Sequence, residues 1–310
     1  HGLDWKRLDE IEPDDMVAVA YGAELWSPVP ASLGDATLSP PDGNQKSVTL
    51  PTEMSEELAF LLGAFASEGH ISRSNWSIHI TNSVPEVRER VRRAWRDLFG
   101  VEATVASSGG RCPQVSVASK TIVEFLDHLG CGSVASEKRI PDAVLASPRS
   151  MVLAFLQGLA LDAYVSVSGM ARWGICLDAP AMLDDLQAVL TNLGVQHSRI
   201  SKHNRVHDKS YDEVYDTGHH AQQLASLVPF VEPDKRARAE VLLAKTFTGR
   251  HATADVVPGI SPAELYALIP EGCRTRDSAA ARSEVHFLTD TRRQRVTHLP
   301  LARVGALPGV

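Results

Sequence analysis

Two apolar segments 95 residues apart, measured from Gly63 to Gly158, repeat one pattern. The first runs Leu58-Ala-Phe-Leu-Leu-Gly-Ala-Phe-Ala-Ser-Glu-Gly-His70 and the second Leu153-Ala-Phe-Leu-Gln-Gly-Leu-Ala-Leu-Asp-Ala-Tyr-Val165. Each reads as a short helix with Ala-x-x-x-Gly on one face (Ala59/Gly63 and Ala154/Gly158), ending near an acidic residue. Small residues four apart share a helix face and hold no bulk between two backbones, so a helix of this kind packs closely on its copy. The last turns then meet, and carboxylates brought together across a pseudo-dyad are a way to build a metal site.

Around each helix the same order of elements recurs. The first copy predicts a helix over 56–67 and an alternating strand over 71–81. A helix opened by Pro85 and stopped by Gly100 follows, then a hairpin over 101–118 with its turn at 108–111, and a helix over 121–129. The second predicts a helix over 150–162, strands between Tyr164 and Leu177, a helix over 181–193, a hairpin over 195–217 and a helix over 221–227. The expected class is α+β, with two pseudo-symmetric αββαββα repeats and a small, mostly helical C-terminal appendage. The expected divisions are an acidic N-terminal segment at 1–53, repeats at 54–148 and 149–248, and the appendage at 249–310. Residues 1–20 read as a turn-bounded unit ending in a strand, and 27–52, rich in Pro, Ser, Gly and Asp, as a linker or long loop.

The net charge of −7 hides a division. Residues 1–57 hold twelve acids against Lys6, Arg7 and Lys46, a net of −9, so the remainder nets +2. Residues 70–120 carry eight bases and four acids, and 271–310 seven arginines and four acids, among them Arg292-Arg-Gln-Arg295. Local field governs polyanion binding, so the acidic balance does not exclude DNA. No apolar run approaches the ~18 residues of a membrane span, which excludes a membrane partner by this reading. Cys112, Cys131, Cys176 and Cys273 form no C-x-x-C pair, which fits a reducing cytosol and a cytoplasmic protein. The twelve histidines show no metal-ligand spacing. The chain starts at His1 and shows no secretory signal, as expected of a fragment or processed product.

Phe60-Leu-Leu-Gly-Ala-Phe-Ala-Ser-Glu-Gly69 and Phe155-Leu-Gln-Gly-Leu-Ala-Leu-Asp162 resemble the two dodecapeptides of the LAGLIDADG homing endonucleases, specifically those of inteins. Glu137-Lys-Arg-Ile-Pro141 is similar to that family's Lys-x-Ile-Pro block, and Asp234-Lys-Arg236 stands in the equivalent place of the second repeat. Thr253-Ala-Asp-Val-Val-Pro258 resembles the segment after the second repeat. Residues 1–20 are similar to a piece of the splicing (Hint) fold, with Asp14 where the family has Gly. The resemblance covers about 54–260 well and 1–20 weakly.

It implies paired helices between two halves of a DNA-binding saddle, terminal acids (Glu68, Asp162) holding Mg²⁺ or Mn²⁺, and Lys138 and Lys235 nearby to activate water or stabilise the transition state. It implies a monomer bound to double-stranded DNA. A carboxylate-held metal hydrolyses phosphodiesters without a protein nucleophile. The strand residues suit base edges: Arg73, Asn75, Ser77, His79 and Thr81 in the first repeat, with Arg111 and Gln114 in its hairpin, and Arg172, Arg199, Lys202, His203 and Arg205 in the second. Glu68 stands at Gly63+5, where Gly158+5 is Ala163; Asp162 falls one residue early, about 100° around the helix. Either the second helix ends a residue sooner and Asp162 reaches the site, or this half has lost its acid. The leading reading is a Mg²⁺-dependent site-specific endonuclease. Its rivals are a catalytically inactive DNA-binding protein on the same fold and a fragment of a protein-splicing element, the latter disfavoured because no His-Asn precedes Val310.

Overall fold

The computed structural model describes residues 5–247, apart from 13, 14, 16, 37, 40–47, 108, 109, 170 and 205–207, together with 256, 257, 264, 267, 296 and 297. Its contacts divide the chain into two units, Tyr21–Lys245 and a second one formed by His1–Ala20 with Thr246–Val310.

The larger unit opens its first repeat with α1 (Glu56–Glu68), capped by the Ser55 hydroxyl accepting from the Leu58 N–H at 3.2 Å. Strands β1 (Gly69–Ser72) and β2 (Ser77–Thr81), helix α2 (Pro85–Phe99), strands β3 (Thr104–Ala106) and β4 (Gln114–Ala118) and helix α3 (Lys120–His128) follow. A short α4 (Asp142–Leu145) leads to the second repeat. That repeat comprises α5 (Arg149–Leu159), β5 (Tyr164–Ser166), β6 (Arg172–Leu177), α6 (Pro180–Asn192), β7 (Ser198–Asn204), β8 (Lys209–Thr217), α7 (Gly218–Leu227) and α8 (Pro233–Leu243). Each repeat builds a four-stranded antiparallel sheet in the same order, β1-β2-β4-β3 and β5-β6-β8-β7. The architecture is therefore mixed α+β with two like sheets.

Alternation gives each sheet a core face and an open face. In the first, Ile71, Ile78, Ile80, Val115 and Val117 point inward, where α2 supplies Val87, Val91, Trp95 and Phe99 from its apolar stripe. Helix α1 is buried along its whole middle, Leu58 to Ala66, because it packs against α5 as well as its own sheet.

Two elements of the repeats differ from the sequence reading. The strand expected over 71–81 is a hairpin, with β1 and β2 joined by residues 73–76 and Trp76 at φ 51° closing the turn. Helix α5 stops at Leu159, not 162. The linker or long loop expected over 27–52 has no helix or strand among its described residues; it lies on the first repeat, and residues 22–25 before it lie on the second. Gly22 N–H donates to Thr191 O (2.8 Å), Asn192 exchanges two bonds with Leu25, Glu24 pairs with Arg149 (3.0 Å), and Ala31 N–H donates to the Ser147 hydroxyl (3.1 Å). Farther on, His128 bonds Leu33 O (2.8 Å) and Thr49 N–H donates to Phe99 O (3.3 Å). Its contacts are mostly backbone hydrogen bonds, which leave no periodic pattern in the sequence.

In the smaller unit a 3₁₀ turn spans Leu8–Glu10 and β9 (Val256–Val257) pairs antiparallel with β10 (Val296–Thr297). Residues 17–20, expected to form a strand, have no strand pairing. Apart from residues 256, 257, 264, 267, 296 and 297, the 249–310 appendage, with the basic cluster at 292–295, lies outside the described residues. Among the described residues no helix is long and apolar enough to cross a membrane, and Cys112, Cys131 and Cys176 are free thiols.

Candidate active site and nucleic-acid interface

The two motif helices touch through their glycines. A Cβ on Gly63 would stand 2.1 Å from the Phe155 carbonyl oxygen, and one on Gly158 2.2 Å from that of Phe60. Ser67 then bonds across the joint, its hydroxyl donating to Gly158 O at 3.2 Å. This packing brings the helix ends side by side, and with them Glu68 and Asp162.

The displacement of Asp162 by one residue is largely undone by the backbone. After Leu159 the chain tightens into 3₁₀ turns: Leu161, Asp162 and Ala163 donate to Gly158, Leu159 and Ala160, three residues back, at 3.0–3.2 Å. Three steps of ~120° in place of ~100° recover about 60° of rotation. Counting back from the last pair of each hairpin, Ser72↔Ser77 and Ser166↔Arg172, makes Asp162 the counterpart of Glu68; Ala163 is buried.

Both carboxyls sit in a crowded place. Burial, with the Asp162 carboxylate beside it, pushes Glu68 up to about 7, against the opposing pull of Lys235 and Lys138. Burial also pushes Asp162 up, to about 6, while Lys235 and Lys138 work the other way. Glu232 adds a third negative charge nearby.

Each lysine secures the end of a motif helix. Lys138 is buried and donates to Phe65 O (2.9 Å) and Gly69 O (2.5 Å), and its own value falls to about 8 through burial. Lys235 donates to Leu161 O (2.6 Å) and pairs with Glu232 at 2.5 Å. Phe65 O, which also accepts from the Gly69 N–H, and Leu161 O lie at or just past the C-terminal ends of the motif helices, where the helix dipole favours a cation. An ammonium has three N–H donors, so each lysine keeps capacity beyond these partners. Beside Asp162 lies a cavity of about 220 Å³ lined by Ser67, Lys138, Cys176, Met182 and Tyr211, roomy enough for several waters. Among the described residues no three His, Cys, Asp or Glu side chains are grouped to hold a metal.

The open face of the first sheet is polar and neutral. Ser77, His79, Thr81 and Gln114 share it; Gln114 donates to the Thr81 hydroxyl (3.1 Å), His79 bonds Ser116 (2.7 Å) and stacks on His70 at 4.8 Å. Arg73 and Asn75 are not on it, because the chain turns there. Arg73 forms a two-pronged pair with Asp127 (2.6 and 2.7 Å). Arg111 is exposed in the β3–β4 connection.

On the second sheet Arg172 and Lys202 lie on the open face. Arg199 stands opposite Val214 on the core side, where Asp212 (2.7 Å) and Asp184 hold it. His203 shares that side at the exposed end of the hairpin, and Arg205 lies outside the described residues.

Two acids on β8 escape a reading of the sequence. Glu213 is fully buried on the open face, and Asp216 is buried on the core side with no hydrogen-bond partner for either oxygen among the described residues. Nothing in Tyr-Asp-Glu-Val-Tyr-Asp-Thr marks which acids are enclosed, since Asp212, Glu213 and Asp216 all have an aromatic or apolar neighbour.

Comparison with curated proteins finds a DNA polymerase of Thermococcus kodakarensis, 28% identical over 195 residues (60% of this chain, 10% of the polymerase). It also finds a replication factor C small subunit of Methanocaldococcus jannaschii, 30% identical over 165 residues (52% and 9%). The chain spans about a tenth of the length of these relatives. Among solved structures, I-DmoI in complex with DNA and Ca aligns with 17% identity and a TM-score of 0.43, covering 59% of this chain and 96% of that one. Full-length DUF199/WhiA from Thermatoga maritima aligns with 12% identity and a TM-score of 0.40, covering 63% and 62%. Residues 55–130, most of the first repeat, match the family model of the LAGLIDADG-like domain.

Proposed function

We propose that this chain binds a long double-stranded DNA site across its two sheets and hydrolyses phosphodiesters at the joint between them, as an intein-type LAGLIDADG homing endonuclease using Mg²⁺ or Mn²⁺. The observation that carries the reading is the convergence of Glu68 and Asp162 at the ends of two glycine-packed helices, each end backed by a lysine. The intein part is supported by the comparisons: a polymerase and a replication factor subunit, otherwise unlike, share this segment as about a tenth of their length.

The donor set fits a hard divalent cation. Two neighbouring buried carboxyls, Glu68 raised further by the charge of Asp162, are relieved by a cation between them, and Mg²⁺ takes one or two carboxylates with phosphate and water filling its shell. Glu68 and Asp162 would hold it; bound there it would lower the pKa of a water and offset charge growing on the phosphate. Lys138 and Lys235, fixed on carbonyls, present positive charge beside the acids with little reorganisation. The cavity beside Asp162 gives a water access from one side. The polar open face of the first sheet and the cations of the second supply donors and acceptors for base edges and phosphates.

The test is incubation of the chain with Mg²⁺ and a supercoiled plasmid carrying the uninterrupted form of the gene that surrounds this coding sequence. A single linear product is expected. Tight, specific retention of the plasmid without a cut would establish the binding-only reading instead, and neither cutting nor retention would overturn both.

A further inference from the structure

Glu213 is the least expected residue on the second sheet. It occupies the open face, yet its side chain is fully buried beneath three others. The Tyr164 hydroxyl donates to one carboxylate oxygen at 2.5 Å, and Lys202 approaches the other at 2.6 Å. Arg172 lies 3.7 Å from that second oxygen, and its guanidinium stacks 4.0 Å over the Tyr215 ring. Burial and the carboxylate beside it push the Tyr164 phenol up to about 12, so it remains a donor at any working pH.

The first repeat shows what this position looks like without the acid. Pairing registers Thr81↔Gln114 and Cys176↔Glu213 place Gln114 at the equivalent site. There the partners are neutral: Gln114 bonds Thr81, and Ser77 stands where the second repeat has Arg172. The second sheet thus carries Arg172 and Glu213 where the first carries Ser77 and Gln114. A buried acid beneath two cations adds no net attraction for a polyanion. Its effect is to fix their positions and cancel part of their charge.

We propose that Glu213 is a positioning residue for sequence reading by the second repeat, an inference that rests on the DNA-binding role above. It holds Arg172, already flattened on Tyr215, as a rigid fork presented to a base edge with two acceptors in the major groove, the pattern of guanine. It also draws Lys202 away from unspecific phosphate contact. The consequence is directional. Loss of the acid strengthens binding to arbitrary DNA while weakening discrimination, whereas loss of a purely structural residue weakens both.

The experiment uses the full chain in Ca²⁺ with a random 30-base-pair duplex library as probe, measuring the selected sequences, the affinity for unselected duplex and its salt dependence. The wild-type chain is expected to enrich sites with guanine required at one position. Glu213→Gln should bind unselected duplex about threefold more tightly, with a salt slope steeper by about one for the freed cation. It should lose about tenfold or more in preference for its own enriched site, and the guanine requirement with it. Tyr164→Phe, which leaves every charge in place, should lose part of the preference without tighter unselected binding. Arg172→Lys should lose the guanine requirement alone; both variants decide the matter if Glu213→Gln does not fold. Enrichment by the wild type with an unchanged preference in these variants overturns the positioning role and leaves DNA binding standing. A wild-type chain that retains no duplex overturns DNA binding, and this inference with it.

Discussion

Gly63 and Gly158 meet backbone to backbone: each stands where a methyl group would lie within 2.2 Å of a carbonyl oxygen on the opposite helix. The distance between the two helix ends, and so between Glu68 and Asp162, depends on both positions lacking a side chain. Gly63→Ala or Gly158→Ala must push the helices apart. Each should cost about 3 kcal/mol in urea unfolding, at the upper end of overpacking effects, and abolish DNA cleavage even under conditions where the chain stays folded. An alanine variant with unchanged stability would show that the joint is looser than described.

The raised acids make stability depend on pH in the absence of metal. An unfolded Glu or Asp ionises near pH 4, whereas Glu68 holds its proton to about 7 and Asp162 to about 6. Between those values the folded chain binds more protons than the unfolded one, so stability falls as pH rises from about 4 to 7 and then levels. Thermal melts in a chelator should show this fall. Glu68→Gln should flatten it, by on the order of 2 kcal/mol, and Mg²⁺ added at pH 8 should raise the melting temperature of the wild type but not of Glu68→Gln.

Lys138 ties the end of α1 to the block that follows α3. Replacing it with Met leaves the Phe65 and Gly69 carbonyls without their cationic donor and removes a charge that favours ionised Glu68. Lys138→Met should lose about 2 kcal/mol of stability in denaturant titration. Without that charge, Glu68 should titrate higher still in carboxyl NMR. A titration that does not move would separate the lysine from the acid electrostatically.

Asp216 faces Trp173 across the second sheet at the place where the first repeat pairs Val117 with Ile78. Burial raises its pKa well above the usual carboxylate value, and among the described residues neither oxygen has a hydrogen-bond partner. Asp216→Val restores the apolar pair of the first repeat and should stabilise the chain by about 1–3 kcal/mol at neutral pH. The gain should shrink as the pH approaches 4, where the wild-type acid costs least. Destabilisation instead would mean that the carboxyl has a partner.

The elements with strong local signals were legible in the sequence. Pro85 opens α2, Gly100 at φ 68° ends it, and the motif glycines announce the helix joint. The hairpin over 69–81 was not, because its turn, Arg73-Ser-Asn-Trp76, contains neither Gly nor Pro and Trp76 continues the alternation of Ile78 and Ile80; the one sign was Ile71, out of phase with them. Asp162 could be placed only within a residue, since the choice between an α and a 3₁₀ last turn is made by packing and by the Lys235 bond to Leu161 rather than by residue identity. Arg199 and Arg73, cations of the expected kind, point at acids of their own chain, a matter of strand register and turn position. The burial of Glu213 and Asp216 is set by neighbours far away in sequence, for which an alternating strand gives no sign.

The central claim is that Glu68 and Asp162 act together on one metal-dependent reaction. Strand-resolved cleavage of the wild-type target by wild type, Glu68→Gln and Asp162→Asn, with Mg²⁺ and with chelator, tests it most directly. The account expects the wild type to cut both strands only with metal, and each variant to cut at least about a hundredfold more slowly while binding the site as tightly. Cleavage by Asp162→Asn at the wild-type rate on both strands would contradict it.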